Sequence, residues 1–407
     1  MHETVSTIKS PRVLHLVHWL NRGGIEMWLL SLLKHREKQS CEIDVCCKGP
    51  QVGELAEEFS QLGANLYHLP QGQTPWRFVT NLKELLVRRR YDVLHVHTGV
   101  HSSWAVRAAN RARVPVVTTF HNTQFPRESV WTSRPFLGQI IKKYARYSLR
   151  FAVQHSDVAT AVSQGVSDAV QQTAQIEDGP CQVVYLGVAD AQPLNLNERV
   201  QKRKELDLSP KDKVLLHVGS LSEQKNHMGL LKIFRSIRNS VPNAKLLIAG
   251  MGPLQEKIQH RIKDLGLESD VRMLGLRKDV SGLMAMSDLL LFPSYREGLS
   301  LTLMDASAAN LPIVASEIPG NLEATCGGAN ARLHATEDYE AMAASACALL
   351  QQKEFAYELT CKARAFYEKE FSLAVSIRKW RKLYDALVAG QASGVGESFE
   401  SKLQRVA

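Results

Sequence analysis

DLLLFPSYREGLSLTLMDASAANLPIVASE, residues 288–317, is the stretch whose reading decides the fold. Two short runs, LLLF and LPIVAS, are apolar without alternation, the pattern of parallel strands covered on both faces. Between them the chain turns at Glu297 and Gly298 and a helix starts near Ser300. Strand, helix and second strand make one βαβ unit, and the same alternation runs through the chain. VLLHVGS, KLLIAGM and VRMLGL read as strands ahead of it. In the first half VLHLVHWL, IDVCCK, NLYHLP, DVLHVH, VPVVTTF, DVATAVS and CQVVYLG read the same way. The expected fold class is α/β, with two Rossmann-like, doubly wound domains facing each other across a cleft. The polar segment VADAQPLNLNERVQKRKELDLSPKD breaks the pattern and is read as the interdomain linker. That places one domain at 1–190 and the other at 191–372. FSLAVSIRKWRKLYDAL predicts a terminal helix over 373–390, and the low hydrophobicity of 391–407 predicts a disordered tail.

Length and composition agree with two globular domains. The chain has 407 residues, 44% of them hydrophobic and 22% charged, which excludes a disordered polypeptide. The first residues lack a basic-then-apolar signal pattern, and no run approaches the ~18 apolar residues of a spanning helix, so a cytoplasmic protein is expected. The seven cysteines are odd in number and show no C-x-x-C spacing, which argues against a disulfide framework or a structural zinc site. The net charge of +9 is concentrated: residues 77–150 hold fourteen Lys/Arg against three acids. Such a surface attracts phosphates, anionic lipid or nucleic acid. Within it, Ile140, Tyr144, Tyr147 and Phe151 recur at helical spacing, with Lys143, Arg146 and Arg150 on another flank. One reading is a surface helix packed on its own core; the other is a helix resting on an anionic membrane. No zinc-finger spacing or RNA-binding signature accompanies the charge, and no nucleic-acid partner is expected.

The residues that carry chemistry lie at strand ends. Gly23 and Gly24 sit between the first strand and its helix, where a glycine pair admits a close ligand and exposes helix N–H groups. In the second half, Gly219, Ser220 and Lys225 follow the opening strand, and a lysine beside a helix start can hold a diphosphate. Gly250-Met251-Gly252-Pro253 resembles the start of a dinucleotide fingerprint, but Gln255 stands where its third glycine belongs, so a dehydrogenase is not indicated. After the strand ending at FPS, the N–H groups of Ser300, Leu301 and Thr302 are placed to meet a phosphate. Glu297 precedes them and Asp305 follows two helical turns on. Two carboxylates flanking an anion site suit a sugar nucleotide, one for sugar hydroxyls and one for ribose.

On these motifs the chain resembles the retaining GT-B glycosyltransferases of family four, the group 1 glycosyl transferases that include envelope and exopolysaccharide enzymes. The resemblance runs from GGIE at Gly23 to LYDAL at Leu383. It rests on GGIE, on TTFHN with His121, on VGSLSEQKN with Lys225, on the G-x-G-P element and on Glu297 with Asp305. It implies that the second domain binds a UDP- or GDP-linked sugar, that the first binds a glycan or lipid-linked acceptor, and that the terminal helix over 373–390 crosses back to the first domain. Lys225 would neutralise the donor diphosphate, with the amides of Gly24, Ser300, Leu301 and Thr302. His121 would orient the sugar, Glu297 would hold its hydroxyls and Asp305 the ribose, and Leu276 and Arg277 would meet the base. Gly23, Ser220, Gly250, Gly252 and Gly298 complete the implied donor site. No cofactor or metal is implied, and no D-x-D pair is present. Three positions depart from the family pattern: Ser220 replaces an arginine, Asp305 a glutamate, and Leu186-Gly187 an Asn-Gly pair. Arg296 and Arg22 are candidates to replace the missing cation.

The implied function is transfer of a hexose in cell-surface polysaccharide synthesis, at the inner membrane face, with the basic region 77–150 offering a peripheral contact to anionic lipid. Two alternatives share the fold: a sugar-nucleotide 2-epimerase, and a non-catalytic partner in a polysaccharide assembly complex. His95 and His97 lie at strand spacing on one side of a sheet. They could pair on a metal, but with no third ligand spaced nearby the preferred reading is packing or cleft-lining histidines. Met284 and Met286 are read as core.

Overall fold

The computed structural model describes residues 10–35, 41–70, 74–125, 135–177 and 181–392. The chain divides into two compact units, Met1–Leu186 with Ser376–Ala407, and Gly187–Val375.

In the first unit the strands are β1 (Arg12–Val17), β2 (Glu42–Cys47), β3 (Leu66–His68), β4 (Val93–Val96), β5 (Val116–Phe120), β6 (Val158–Ala161) and β7 (Gln182–Val183). They form one parallel sheet in the order β3-β2-β1-β4-β5-β6-β7. The helices are α1 (Gly24–Lys34), α2 (Ala56–Gln61), α3 (Pro75–Arg89), α4 (Ser102–Ala112), α5 (Pro135–His155) and α6 (Gln164–Ala174). The second unit carries α7 (Leu196–Glu205), β8 (Lys213–Val218), α8 (His227–Ser240), β9 (Ala244–Ala249), α9 (Gln255–Asp264), β10 (Val271–Gly275), α10 (Val280–Met286), β11 (Leu289–Phe292), α11 (Leu301–Ala308), β12 (Ile313–Ser316), α12 (Pro319–Ala324), β13 (Arg332–His334), α13 (Tyr339–Gln351) and α14 (Lys353–Phe366). Its sheet runs β10-β9-β8-β11-β12-β13, again parallel. Each order reverses beside its first strand, the doubly wound arrangement that places ligands outside the strand C-termini.

Continuous apolar strands are what this layering requires. Successive residues of β11 feed opposite faces: Leu289 and Leu291 pack with α8, α9 and α13, while Leu290 and Phe292 pack with α10 and α11. Both sheets use the same device at their N-terminal edge. Asp92, just before β4, accepts the backbone N–H of Arg12 at 2.8 Å, and Asp288, just before β11, accepts that of Val214 at 2.7 Å. An aspartate there pairs an edge amide and pins the register of the two central strands.

Four expectations change. The segment read as a linker carries α7, capped by Asn195 and Glu198 and anchored by Arg199 and Arg203 on Asp288 at 2.7 and 2.8 Å. Two of its charges satisfy the start of β11. The division falls at Leu186 and Gly187, ahead of that segment. The strand β13 was not anticipated, because three partly polar residues at a sheet edge give no apolar run. The terminal helix, α15 (Leu373–Ala392), includes 391 and 392, so the expected tail is helical at its start, and 393–407 lie outside the described residues. The same helix places Ser376 onward in the first unit. No disulfide joins the seven cysteines, all of which lie among the described residues.

The G-x-G-P turn explains itself at close range. Gly250 has φ +150°, and a Cβ there would stand 1.9 Å from the Gly219 carbonyl oxygen. One at Gly252 would meet the Leu221 backbone at 2.6–2.8 Å. The missing side chains let the loop after β9 lie on the loop after β8, joined by Leu221 N–H to Met251 O at 2.9 Å. Gly250→Ala must move backbone, and we expect it to cost about 2–3 kcal/mol. Gly138→Ala, in α5 with no atom within 4 Å of the added carbon, should instead be neutral or gain up to about 1 kcal/mol. Urea unfolding of the two variants checks both signs.

Candidate active site

The loops after β8 and β11 meet at the point where the second sheet reverses. A tight turn over Glu223–Lys225 is closed by Asn226, whose positive φ of 51° and side chain start α8. The Lys225 stem crosses Gly219, where a Cβ would lie 2.9 Å from Cε. Its ammonium reaches Glu297 Oε1 at 2.6 Å and stands 4.5 Å from the centre of the Phe292 ring. Both side chains are nearly buried, at 12% and 10% exposure. The turn and the loop are tied twice more, by Gln224 Nε2 to Arg296 O and Tyr295 N–H to Gln224 O, each 2.9 Å. Gly320 lets the start of α12 sit against the Glu297 carbonyl, 2.7 Å from a hypothetical Cβ. Sequence reading overlooked Gly320 and its neighbour Asn321, although IPGN directly after a strand is a visible turn signal.

The start of α11 offers fewer N–H groups to an anion than the sequence leads one to expect. The Leu301 N–H bonds to Leu299 O at 3.1 Å and is not offered to a ligand, because the turn into α11 closes on itself. The buried Ser300 hydroxyl donates to Asn321 Oδ1 and does not cap the helix. Ser300 and Thr302 stand at the first turn of α11, where N–H groups lack intrahelical acceptors. Asp305, one turn further, is half-buried and has no ion-pair partner among the described residues. Desolvation pushes its carboxyl up to about 7. Ser220 is exposed, its hydroxyl 3.1 Å from that of Ser222. Arg296 is half-buried with no ion pair among the described residues, whereas Arg22 is engaged by Glu58 at 3.6 Å. Leu276 is exposed and Arg277 makes a two-point pair with Asp279, both bonds 2.8 Å.

His121, Gly23 and Gly24 belong to the first unit. The glycines are exposed, but Glu26 folds back so that a Cβ on Gly23 would lie 2.5 Å from Glu26 Oε2. The start of α1 thus already carries a carboxylate, which burial raises to about 7. His121 ends a row that crosses the sheet beneath α15. His15 Nδ1 lies 3.0 Å from His97 Nε2, and His97 Nδ1 lies 2.9 Å from His121 Nε2. His95 is held separately, by the Tyr384 hydroxyl and by Thr119 Oγ1, each 2.6 Å away. The expected same-side placement of His95 and His97 is joined by His15, opposite His95 in register. Ligand atoms of these three lie within 4.8 Å of one another. The third nitrogen ligand absent from local spacing is therefore present in space, but both His95 nitrogens face hydroxyls.

Asp305 gives the site a pH signature. Its carboxyl is raised above the unfolded value, so its ionisation opposes folding from about pH 4 upward and fully above about pH 7. Asp305→Asn should match the parent in thermal stability near pH 4 and exceed it increasingly to pH 7, with a constant gain beyond. Melting temperatures measured across pH 4–8 check this.

Comparison with known proteins agrees with this architecture. Residues 22–192 match the family Glycosyltransferase Family 4 and residues 198–366 match Glycosyl transferases group 1. N-acetyl-alpha-D-glucosaminyl L-malate synthase of Bacillus anthracis is 28% identical over 318 residues, 77% of this chain and 80% of that protein. UDP-Gal:alpha-D-GlcNAc-diphosphoundecaprenol alpha-1,3-galactosyltransferase of Escherichia coli is 27% identical over 247 residues, 59% of this chain and 62% of that protein. Anabaena HepE, solved in complex with UDP, superposes with a TM-score of 0.77 at 19% identity, covering 94% of this chain and 100% of that one. Two parallel sheets with these loops, matched across both units, make the chain a GT-B glycosyltransferase of the group 1 and family 4 type.

Proposed function

We propose that the protein is a retaining, metal-independent hexosyltransferase that uses a UDP-linked sugar and acts in cell-surface glycan synthesis. The observation that carries this reading is the nearly buried Lys225–Glu297 pair at the reversal point of the second sheet. A diphosphate arriving at the first turn of α11 competes with Glu297 for Lys225, and Glu297 is then free to accept sugar hydroxyls. Asp305, desolvated and unpaired, accepts the ribose hydroxyls, and Arg296 supplies the cation lost with Ser220. His121 is assigned a hydrogen bond to a substrate hydroxyl. In the reaction the bond from the anomeric carbon to the diphosphate oxygen breaks, and the acceptor oxygen bonds to that carbon on the same face. The acceptor proton passes to the leaving phosphate oxygen, so no separate base is needed. Lys225 stabilises the charge that grows on that oxygen. The UDP complex of HepE and the UDP-galactose donor named for the Escherichia coli enzyme support UDP as the nucleotide.

Saturating UDP should raise the melting temperature by several degrees, since 100 times Kd adds about 2.7 kcal/mol to the folded state. Lys225→Ala should abolish that shift and lower transfer by about 10²–10³. Transfer by Glu297→Ala at the parental rate would sink the site assignment.

A second feature supports action at a membrane surface. The stripe of Ile140, Tyr144, Tyr147 and Phe151 is not the core face of α5: Ala145, Ser148, Leu149 and Ala152 are buried, while Ile140 and Tyr147 are 48% and 53% exposed. Trp76 on α3 is 59% exposed. Arg111 lies 5.7 Å from the Trp76 ring and Arg107 lies 3.9 Å from the Phe151 ring. Exposed aromatic groups between guanidinium and ammonium groups suit an anionic lipid headgroup layer. The lipid-diphosphate acceptor named for the Escherichia coli relative fits such a location. Among the described residues no helix is long and apolar enough to cross a membrane. Flotation should show binding to vesicles with anionic lipid and none to neutral ones, with Trp76→Ala/Ile140→Ser weakening it several-fold. Equal binding to both lipids would count against the reading.

A further inference from the structure

The histidine row of the first unit contains more order than a hydrogen-bond to substrate requires. His15, fully buried, and His97, 6% exposed, form with half-buried His121 a chain of two nitrogen-to-nitrogen hydrogen bonds, 3.0 and 2.9 Å. A neutral imidazole has one N–H and one lone pair. Each bond in the chain needs one of each, so only two arrangements exist for three neutral rings. Either every ring carries its proton on Nδ1, or every ring carries it on Nε2. A mixed arrangement sets two N–H groups or two lone pairs against each other. Burial favours neutral rings, holding the His15 and His121 pKa values at about 3 and that of His97 well below its usual range.

The far end of the chain selects between the two. His15 Nε2 is buried and has no hydrogen-bond partner among the described residues. It lies in an aromatic setting, with the Trp28 and Tyr384 rings edge-on at 6.2 and 6.4 Å. In the Nε2–H arrangement this end is a buried orphan donor. In the Nδ1–H arrangement it is a bare lone pair. Orphan buried N–H groups are the rarer and more strongly avoided of the two. The His95 ring does not enter the chain, because its nitrogens face Tyr384 and Thr119, and Thr119 Oγ1 continues to Thr160 Oγ1 at 2.7 Å.

We propose that His15 and His97 are positioning residues that lock His121 in the Nδ1–H tautomer, so that His121 meets its ligand as a hydrogen-bond donor with Nε2 tied back to the sheet. The ligand group it would serve is an oxygen acceptor, a sugar hydroxyl or a carbonyl. This last step rests on the assignment of His121 to substrate made above; the tautomer itself does not.

The test is a long-range proton–nitrogen NMR spectrum of the full chain, labelled with ¹⁵N-histidine, at neutral pH and without nucleotide or substrate. The expected result is His121, His97 and His15 all in the Nδ1–H form. His97→Asn, whose amide can still donate to His121 Nε2, should preserve the His121 pattern. His97→Leu should release it toward the Nε2–H form that free histidine favours in water. A parental spectrum with His121 as Nε2–H or as imidazolium overturns the proposal without any variant. So does a His97→Leu protein that folds and keeps His121 fully Nδ1–H. Zinc added to the parental protein should leave the three signals in place. Conversion of His15, His95 and His97 together to metal-bound shifts would overturn the proposal by making the cluster a metal site. Because no turnover is measured, a failed transferase assay would leave these results standing, and the two readings fail separately.

Discussion

Lys225 and Glu297 hold each other at 2.6 Å where two adjacent parallel strands release their chains. Few contacts in the second unit depend on so many others. Lys225 reaches that position only because Gly219 has no side chain to block its stem. Gly219 in turn is overlaid by Gly250, which can approach it only as glycine. Gly320 packs against the Glu297 carbonyl from the other side, and the bonds of Gln224 with Arg296 and Tyr295 fix the loop just before it. Removing either charge would leave the other desolvated, which is the expensive case for an ion pair. Under the proposed function, a dianionic ligand would replace the carboxylate at Lys225 and give the pair a second arrangement.

The two units solve the same folding problem with the same parts. Each begins a parallel sheet with an apolar strand, pins it with an aspartate from the neighbouring strand and opens loops at the C-terminal edge. They differ in what they bury. The second unit has apolar layers on both faces. The first replaces part of one layer with His15, His95, His97, Thr119 and Thr160, closed over by Trp380 and Tyr384 of α15. A buried polar row is costly unless nearly every group is paired. Among the described residues this one is paired save at His15 Nε2 and Trp380 Nε1, which argues that its order serves something other than stability.

The surface of the first unit carries its own contrast. α5 uses small residues and one leucine toward the core, leaving larger apolar and aromatic groups outside. Periodicity alone reported an amphipathic helix and could not say which stripe was inside. Size complementarity with α4 and α6 settled that, since Ala145, Ser148 and Ala152 allow the close approach that tyrosines would prevent.

Local chemistry made much of this protein legible. Both sheets, twelve of the thirteen strands, the loops bearing Lys225 and Glu297 and the helix bearing Asp305 follow from apolar runs and turn residues, which act over a few positions. Other features arise between residues remote in sequence. Asp288 recruits two arginines of α7 and turns an apparent linker into part of the unit. Leu301 spends its amide within the turn. His15, His97 and His121 become one chain only when β1, β4 and β5 lie side by side, and Tyr384 arrives 289 residues after His95. The sequence by itself determined the layers, because burial on both faces of a parallel strand demands unbroken apolar runs. Only the tertiary structure decided which polar groups are paired, because partner choice depends on distances that the fold, not the spacing, sets.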